Sequence, residues 1–233
     1  MNYQVEYIIT SDFMELTLPE TYLLCNIDKK GNLGSNSKPY IELALVGSCL
    51  MQLCLQGRLA EINNILIIID ETELEDDILN DIFLLIKSHN KDESATYWMD
   101  TIANTFPNLV TIYLEKLVNQ NKIELFKSKF LGVFNIIKYA ITNEDSLNNI
   151  RTHLYELIKG DKEAPPQLIA LLCLLNASKQ LNNIIDQKDI SSYKTCIEGL
   201  TMTNGISKSM MNLVDNIFEA IMRNYMLTFT YSY

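Results

Sequence analysis

Apolar residues recur at spacings of three and four from Pro39 to a stop at Gly57. Two short apolar runs follow at once, Arg58–Ile62 and Ile65–Ile69, set around Asn63-Asn64. The first spacing lays one stripe along a helix, and two short runs around a pair of asparagines predict a β-hairpin. The same order returns further on. A helix over Asn108–Val118 meets a polar stop at Asn119–Asn121, and the runs Lys122–Phe126 and Phe130–Ile137 follow, joined through Lys127-Ser128-Lys129. Pro39–Asp70 and Asn108–Lys138 are therefore expected to form two helix-plus-hairpin units, a weak internal repeat. Ile65–Ile69 is apolar on both faces, which predicts a buried strand.

The rest of the pattern is mostly helical. Thr17-x-x-Glu20 is a capping box with Pro19 in the first turn; it opens a short helix through Leu23–Cys25 that Asp28-Lys29-Lys30-Gly31 breaks. Gly31–Lys38 reads as a polar surface loop. The acidic run Glu71–Asp81 caps a helix through Ile82–Ser88, where carboxylates suit the helix dipole. Helices are expected at Tyr97–Ile102, Asn143–Lys159, Gln167–Ile185, Ile190–Met202 and Ser207–Met222. Gln167–Ile185 is apolar almost all round through Leu175, which places it at the centre. Asn2–Thr10 alternates, with Tyr3, Val5, Tyr7 and Ile9 on one side, and Tyr225–Tyr233 alternates more strictly. The two ends could pair in one small sheet, or form ordered tails packed on helices. The expected fold is mainly α, one globular domain over residues 1–233 with two helix-plus-hairpin units and a small terminal strand pair.

Charge changes this picture at one place. The chain carries a net charge of −10, yet Lys116–Lys138 holds Lys116, Lys122, Lys127, Lys129 and Lys138 against Glu124 alone. A basic, apolar hairpin on an acidic protein reads as a contact surface, and Lys127, Lys129, Phe130, Leu131, Val133 and Phe134 are its candidate residues. Three settings suit it: a wedge in an anionic membrane, an interface with a protein partner or a second copy, or the chain's own core with the lysines as a wet edge. The acidic balance argues against nucleic acid, which requires a basic footprint. A winged-helix reading fails for the same reason, since Asn108–Val118 and Pro39–Gln56 present too few cationic or amide residues.

Size and cysteine usage set the compartment. With 233 residues, 48% of them hydrophobic, the chain can bury a core without staples. Its five cysteines, Cys25, Cys49, Cys54, Cys173 and Cys196, show no Cys-x-x-Cys spacing, as expected of buried thiols in a reducing compartment. The N-terminus carries Glu6, Asp12 and Glu15 where an export signal needs a basic head. Leu168–Leu175 falls far short of the roughly 20 residues of a membrane span. A cytoplasmic protein, peripheral on the cytoplasmic membrane face at most, is expected.

Site chemistry is sparse. His89 and His153 lie apart without metal-ligand spacing, and there is no nucleophile elbow, phosphate loop or dinucleotide glycine pattern. No enzymatic activity, metal or cofactor is expected. Cys49 and Cys54 read as core thiols, Asp76 and Asp77 as a solvated cap, and Trp98 as a plug between helices.

One ordered set of segments carries a resemblance. It comprises LTLPETYLL at Leu16–Leu24, the turn Asp28–Gly31, GSCLMQLCLQGRL at Gly47–Leu59 and Asp76-x-Ile78-Leu79 with Asp81. It continues with LVNQNKIE at Leu117–Glu124, Phe130-Leu131-Gly132-Val133-Phe134, and LIALLCLLNASKQL at Leu168–Leu181. Together they resemble the Golgi phosphoprotein 3 family. The resemblance implies a mostly helical, non-enzymatic, peripheral membrane protein that binds phosphatidylinositol 4-phosphate in a basic pocket and inserts an apolar hairpin, here Phe130–Phe134, into the bilayer. Eukaryotic members are also adaptors for Golgi glycosyltransferases. Where lipid-binding members place a tryptophan and three arginines, this chain has Ser37, Val46, Pro107 and Val110, so the resemblance assigns no headgroup residue. The long N-terminal extension of eukaryotic members is missing, which points to a bacterial-type member. A cytosolic interaction or homo-oligomeric module that uses the hairpin as a protein interface is the alternative.

Overall fold

The computed structural model describes residues 16–34, 38–89, 91–130, 134–159, 165–181, 184 and 208–230. Two helices set the frame. Helix α2 (Lys38–Leu55) touches most of the others, and α7 (Pro166–Ala177) lies against it. Residues 168–175 of α7 are all buried, as the unbroken apolar run requires, because a helix without a polar face has no side to give to water. Around this pair stand α1 (Leu18–Cys25), α3 (Asp77–Ser88), α4 (Ala95–Thr105), α5 (Leu109–Asn119), α6 (Glu144–Lys159) and α8 (Lys208–Thr230). In α8 the stripe of Leu213, Ile217, Ala220 and Ile221 is buried, at the helical spacing. The mainly α architecture with two hairpins is as expected, and Trp98 is buried in the helix packing.

Both hairpin units leave their helices in the same way. At the end of α2, Gly57 sits at φ +69°, its N–H bonds the Cys54 carbonyl at 3.0 Å, and the Arg58 N–H bonds Leu53 at 2.9 Å. At the end of α5, Asn121 sits at φ +54°, bonding Val118 at 2.9 Å, while Lys122 bonds Leu117 at 2.9 Å. This is one helix stop used twice, with the left-handed residue satisfying the last carbonyls and turning the chain back. The next residue in each case, Leu59 or Ile123, is buried and anchors a strand. Lys179, at φ +59°, ends α7 with the same pair of bonds, so the helix stops at Ala177 and does not run to Ile185.

The first hairpin pairs β1 (Leu59–Ile62) with β2 (Ile65–Ile68), in the register Leu59↔Ile68 to Ile62↔Ile65. Asn63 and Asn64 both take positive φ, the twist that a two-residue hairpin turn needs. The expectation that Ile65–Ile69 is buried on both faces is corrected. Leu59, Glu61 and Leu66 are buried on one face, while Ile62, Ile65 and Ile69 are exposed. A layer of helices covers one face, and nothing described covers the other.

At the C-terminus the structure also differs from the strand expected over Tyr225–Tyr233. Helix α8 continues through Thr230. Tyr225 and Phe229 continue the i, i+4 series from Ile221, so the apolar pattern fits a helix as well as an alternating strand, and the helix already under way prevails. Asn2–Thr10 and Ile190–Met202 lie outside the described residues.

Candidate functional site

The second hairpin pairs β3 (Ile123–Phe130) with β4 (Phe134–Ile141), antiparallel, from Ile123↔Ile141 to Phe130↔Phe134. Its turn is not where the polar triplet suggested. Lys127-Ser128-Lys129 lies inside β3, opposite Ile137, Ile136 and Asn135. The lysines are thus displayed along an exposed strand, and the cationic tip is corrected to a cationic flank. Leu131, Gly132 and Val133 fall outside the described residues, and for Phe130 and Phe134 only the backbone pairing is described.

Only the base of this hairpin is embedded. Ile123 is buried, and Tyr139 and Ile141 pack against the core. Further out, Leu125, Phe126 and Ile137 are 46%, 44% and 51% exposed, which removes the core reading for these side chains. Leu125 and Ile137 belong to one face in this register, with Lys127 between them, and Phe126 belongs to the other. A strand pair with exposed apolar residues on both faces cannot be half-buried in its own body. It presents grease and cations together.

A family model for Golgi phosphoprotein 3 (GPP34) matches residues 18–217. The chain belongs to the Golgi phosphoprotein 3 family. No curated protein matches it. Of the four positions where lipid-binding members of the Golgi phosphoprotein 3 family carry a tryptophan or arginine, Val46 is buried, Val110 is half-buried and Pro107 is exposed. Ser37 lies outside the described residues. Val46, Pro107 and Val110 offer no side-chain donor to a headgroup. No described helix is long and apolar enough to cross a membrane.

The five lysines of the basic stretch do not act alike. Lys116 is turned inward: its Nζ lies 2.8 Å from Glu20 Oε1, bonds Asp76, and stands over the Tyr113 ring at 5.7 Å. Glu20 is 1% exposed. Its Oε2 accepts from the Thr17 N–H at 2.7 Å and the Thr17 hydroxyl at 2.8 Å, and its Oε1 accepts from Gln120 at 3.1 Å. Asp76 meanwhile caps α3, accepting from the Ile78 and Leu79 N–H groups at 3.1 Å. Asp76 is therefore a cap and an ion-pair partner at once, and not a solvated run. Burial opposes the charge on Lys116, but the bonds to Asp76 and Glu20 prevail and raise its pKa above 10.5. This network fastens α1, α3 and α5 together and leaves Lys127 and Lys129 as exposed cations of the hairpin.

The sequence reading also missed what lies beneath the hairpin. The turn after α1 docks on the outer edge of β4, where Tyr139 donates its N–H to the Gly31 carbonyl at 2.8 Å. Between this turn, the hairpin base and the start of α6 opens a cavity of about 540 Å³, lined by Lys29, Lys30 and Arg151 among others. In sequence, Asp28–Gly31 reads only as a helix break, and Arg151 as one polar residue of an amphipathic helix.

Proposed function

We propose that this chain is a non-enzymatic peripheral membrane protein of the adaptor type, which docks on an anionic lipid surface through the β3–β4 hairpin. The observation that carries the reading is the exposure of Leu125, Phe126 and Ile137 beside Lys127 and Lys129 on a hairpin embedded only at its base. Membership of the Golgi phosphoprotein 3 family supports it.

The energetics fit a reversible contact. Full burial of each apolar side chain contributes about 1.5–3 kcal/mol, and each lysine near an anionic surface about 1 kcal/mol. The net charge of −10 opposes close approach of other faces, so affinity stays modest. With Val46, Pro107 and Val110 at the family's pocket positions, selectivity for phosphatidylinositol 4-phosphate through those positions is not expected. The same exposed hairpin is the argument for the second reading, a contact with a protein partner or a second copy.

Liposome flotation tests the proposal, using neutral, anionic and phosphatidylinositol-4-phosphate-doped vesicles and a Leu125→Asp/Ile137→Asp variant. Both substitutions lie on exposed positions, so the fold should survive. Flotation of the native chain on anionic vesicles, lost in the variant, is the expected result. Absence of flotation on every composition ends the membrane reading. A native chain that runs as a dimer, and a variant that runs as a monomer, would then establish the protein interface.

A further inference from the structure

Between α3 and α4 the chain crosses the open edge of β2, fastened there by one backbone bond: the Leu66 N–H donates to the Glu93 carbonyl at 2.9 Å. Ser94, the next residue, caps α4 by accepting from the Tyr97 N–H at 3.1 Å. His89, the C-cap of α3, faces the same strap. Its ring centroid lies 5.2 Å from that of Trp98, nearly at right angles, and 5.4 Å from that of Tyr97. Its Nε2 is shut off from solvent without a hydrogen-bond partner, yet Glu93 Oε1 is only 3.7 Å away. A buried ring nitrogen that faces a carboxylate just beyond bonding distance is an unfinished contact.

We propose that His89 and Glu93 form a proton-operated latch, which closes the strap of residues 91–94 over the β2 edge when the imidazole is charged and loosens it when the imidazole is neutral. The charged ring carries a proton on each nitrogen, so Nε2 donates to the Glu93 carboxylate. Its positive charge also lies within reach of two aromatic rings, Tyr97 and Trp98, close enough for cation–π attraction. The neutral ring gains neither. Among the described residues Glu93 is the only charged group within ion-pair distance of His89. Lys87, at the end of α3, pairs with Glu71 at 3.0 Å, and Asp100, on α4, pairs with Arg223 at 3.2 Å. Tyr97 is the titratable group that α4 brings against the ring, β2 holds only isoleucine and leucine, and Lys91 and Asp92 on the strap are exposed and opposite in charge. The His89 side chain is 33% exposed, so solvent protons reach the ring. Because the charged form finds its partner only in the closed strap, a falling pH favours closure and a rising pH favours release. Release bares the Leu66 N–H and the edge of β2 beside the exposed Ile62, Ile65 and Ile69, and an open strand edge is a template for pairing. The latch acts independently of what the β3–β4 hairpin binds.

Amide hydrogen exchange tests the latch, read at about pH 5.5 and about pH 8, on either side of the range in which imidazoles titrate. Protection factors are compared, so that the intrinsic pH dependence of exchange cancels. The Leu66 amide reports the strap. The Ile69 amide, which bonds the Arg58 carbonyl at 2.9 Å within the hairpin, is the internal control. His89→Gln and Glu93→Gln each remove one partner, and His153→Gln removes the other histidine of the chain, which lies 3.5 Å from Glu156 on α6. In the native chain Leu66 is expected to be about three- to tenfold better protected at the lower pH, with Ile69 protected equally at both. The gain should vanish in His89→Gln and in Glu93→Gln and persist in His153→Gln. Equal Leu66 protection at the two pH values, an Ile69 amide that gains in step, a gain that survives either latch substitution, or a gain lost in His153→Gln overturns the proposal. The comparison of Leu66 with Ile69 in the native chain decides alone if a variant fails to fold.

Discussion

The backbone N–H of Tyr139 donates to the carbonyl oxygen of Gly31 at 2.8 Å, so the turn after α1 closes on the outer edge of β4. Gly31 adopts φ +78°, and a Cβ at that position would lie 2.6 Å from the Tyr139 carbonyl oxygen and 3.2 Å from its nitrogen. A side chain is excluded twice, by backbone conformation and by space. Gly31→Ala is therefore expected to lower stability by about 1–3 kcal/mol and to release the hairpin base. Urea denaturation gives the first quantity, and hydrogen exchange at the Tyr139 amide the second. If that amide exchanges at its native rate in the variant, the bond is not what holds the hairpin.

Lys116 is the keystone of a buried network. Glu20 is 1% exposed, so removing its cation leaves a carboxylate that can neither reach water nor find another charge. Lys116→Met is expected to cost about 3–5 kcal/mol, the range for breaking one partner out of a buried pair. Lys116→Met/Glu20→Gln should recover a large part of this, since the amide still accepts from Thr17 and carries no charge. The double variant distinguishes an electrostatic loss from a packing loss. If it is no more stable than Lys116→Met, packing is responsible.

Asp76 joins the same network to the cap of α3, and two substitutions divide the roles. Asp76→Asn retains an acceptor for the Ile78 and Leu79 N–H groups but removes the charge beside Lys116. Asp76→Ala removes both. The difference between the two in urea should be about 1 kcal/mol, the typical worth of an N-cap. Equal losses would mean that the cap bonds contribute nothing beyond the ion pair.

What could be read in the residues and what could not divides along distance in the chain. Gly57 and Asn121 follow periodic runs directly, so both helix stops, and the strands after them, were visible. Local ambiguity misplaced other features. Lys127-Ser128-Lys129 looks like a turn because it is polar, yet β3 is solvent-facing there and tolerates polar residues, and its pairing with β4 runs on past the triplet to Phe130↔Phe134. Tyr225–Thr230 satisfies two periods at once, and the helix preceding it decides. Partners far apart in sequence left no trace in any spacing. Neither Lys116 meeting Glu20 nor Arg151 facing Lys29 could be inferred, because tertiary packing alone brings them together.

The first hairpin offers a test in which one position moves stability both ways. Asn63 and Asn64 hold φ of +54° and +66°, a conformation asparagine tolerates, glycine prefers and a β-branched residue resists. Asn64→Gly is expected to raise stability by about 0.5 kcal/mol, a shift of one to two degrees in melting temperature for a chain of this size. Asn64→Val should lower it by about 1–2 kcal/mol. Both variants retain the backbone N–H that donates to Glu61. Shifts of the same sign in a thermal melt would mean that the side chain at this position, not the backbone angle, governs the turn.

Two buried thiols, Cys25 and Cys49, and the half-buried Cys54 predict how the fold responds to base. Burial pushes Cys25, Cys49 and Cys54 up from 9.0 to about 12, with Tyr113 close to Cys49 at 3.5 Å in the same apolar interior. Between those two values the unfolded chain releases these protons while the folded chain keeps them, so the unfolded state binds fewer protons and stability falls as pH rises. Each thiol removes about 1.4 kcal/mol per pH unit across that window. Lys116 acts in the same direction at higher pH: its raised pKa stabilises the fold below 10.5, and that contribution is lost as pH climbs through the folded value. Stability measured by urea in the presence of reductant should therefore be flat near neutrality and decline steeply from about pH 9. Cys49→Ala should make that decline shallower even though it lowers stability at pH 7, because the cavity it leaves does not titrate. A native chain whose urea midpoint at pH 10.5 equals that at pH 7.5 would show that the thiols ionise as readily in the fold as outside it.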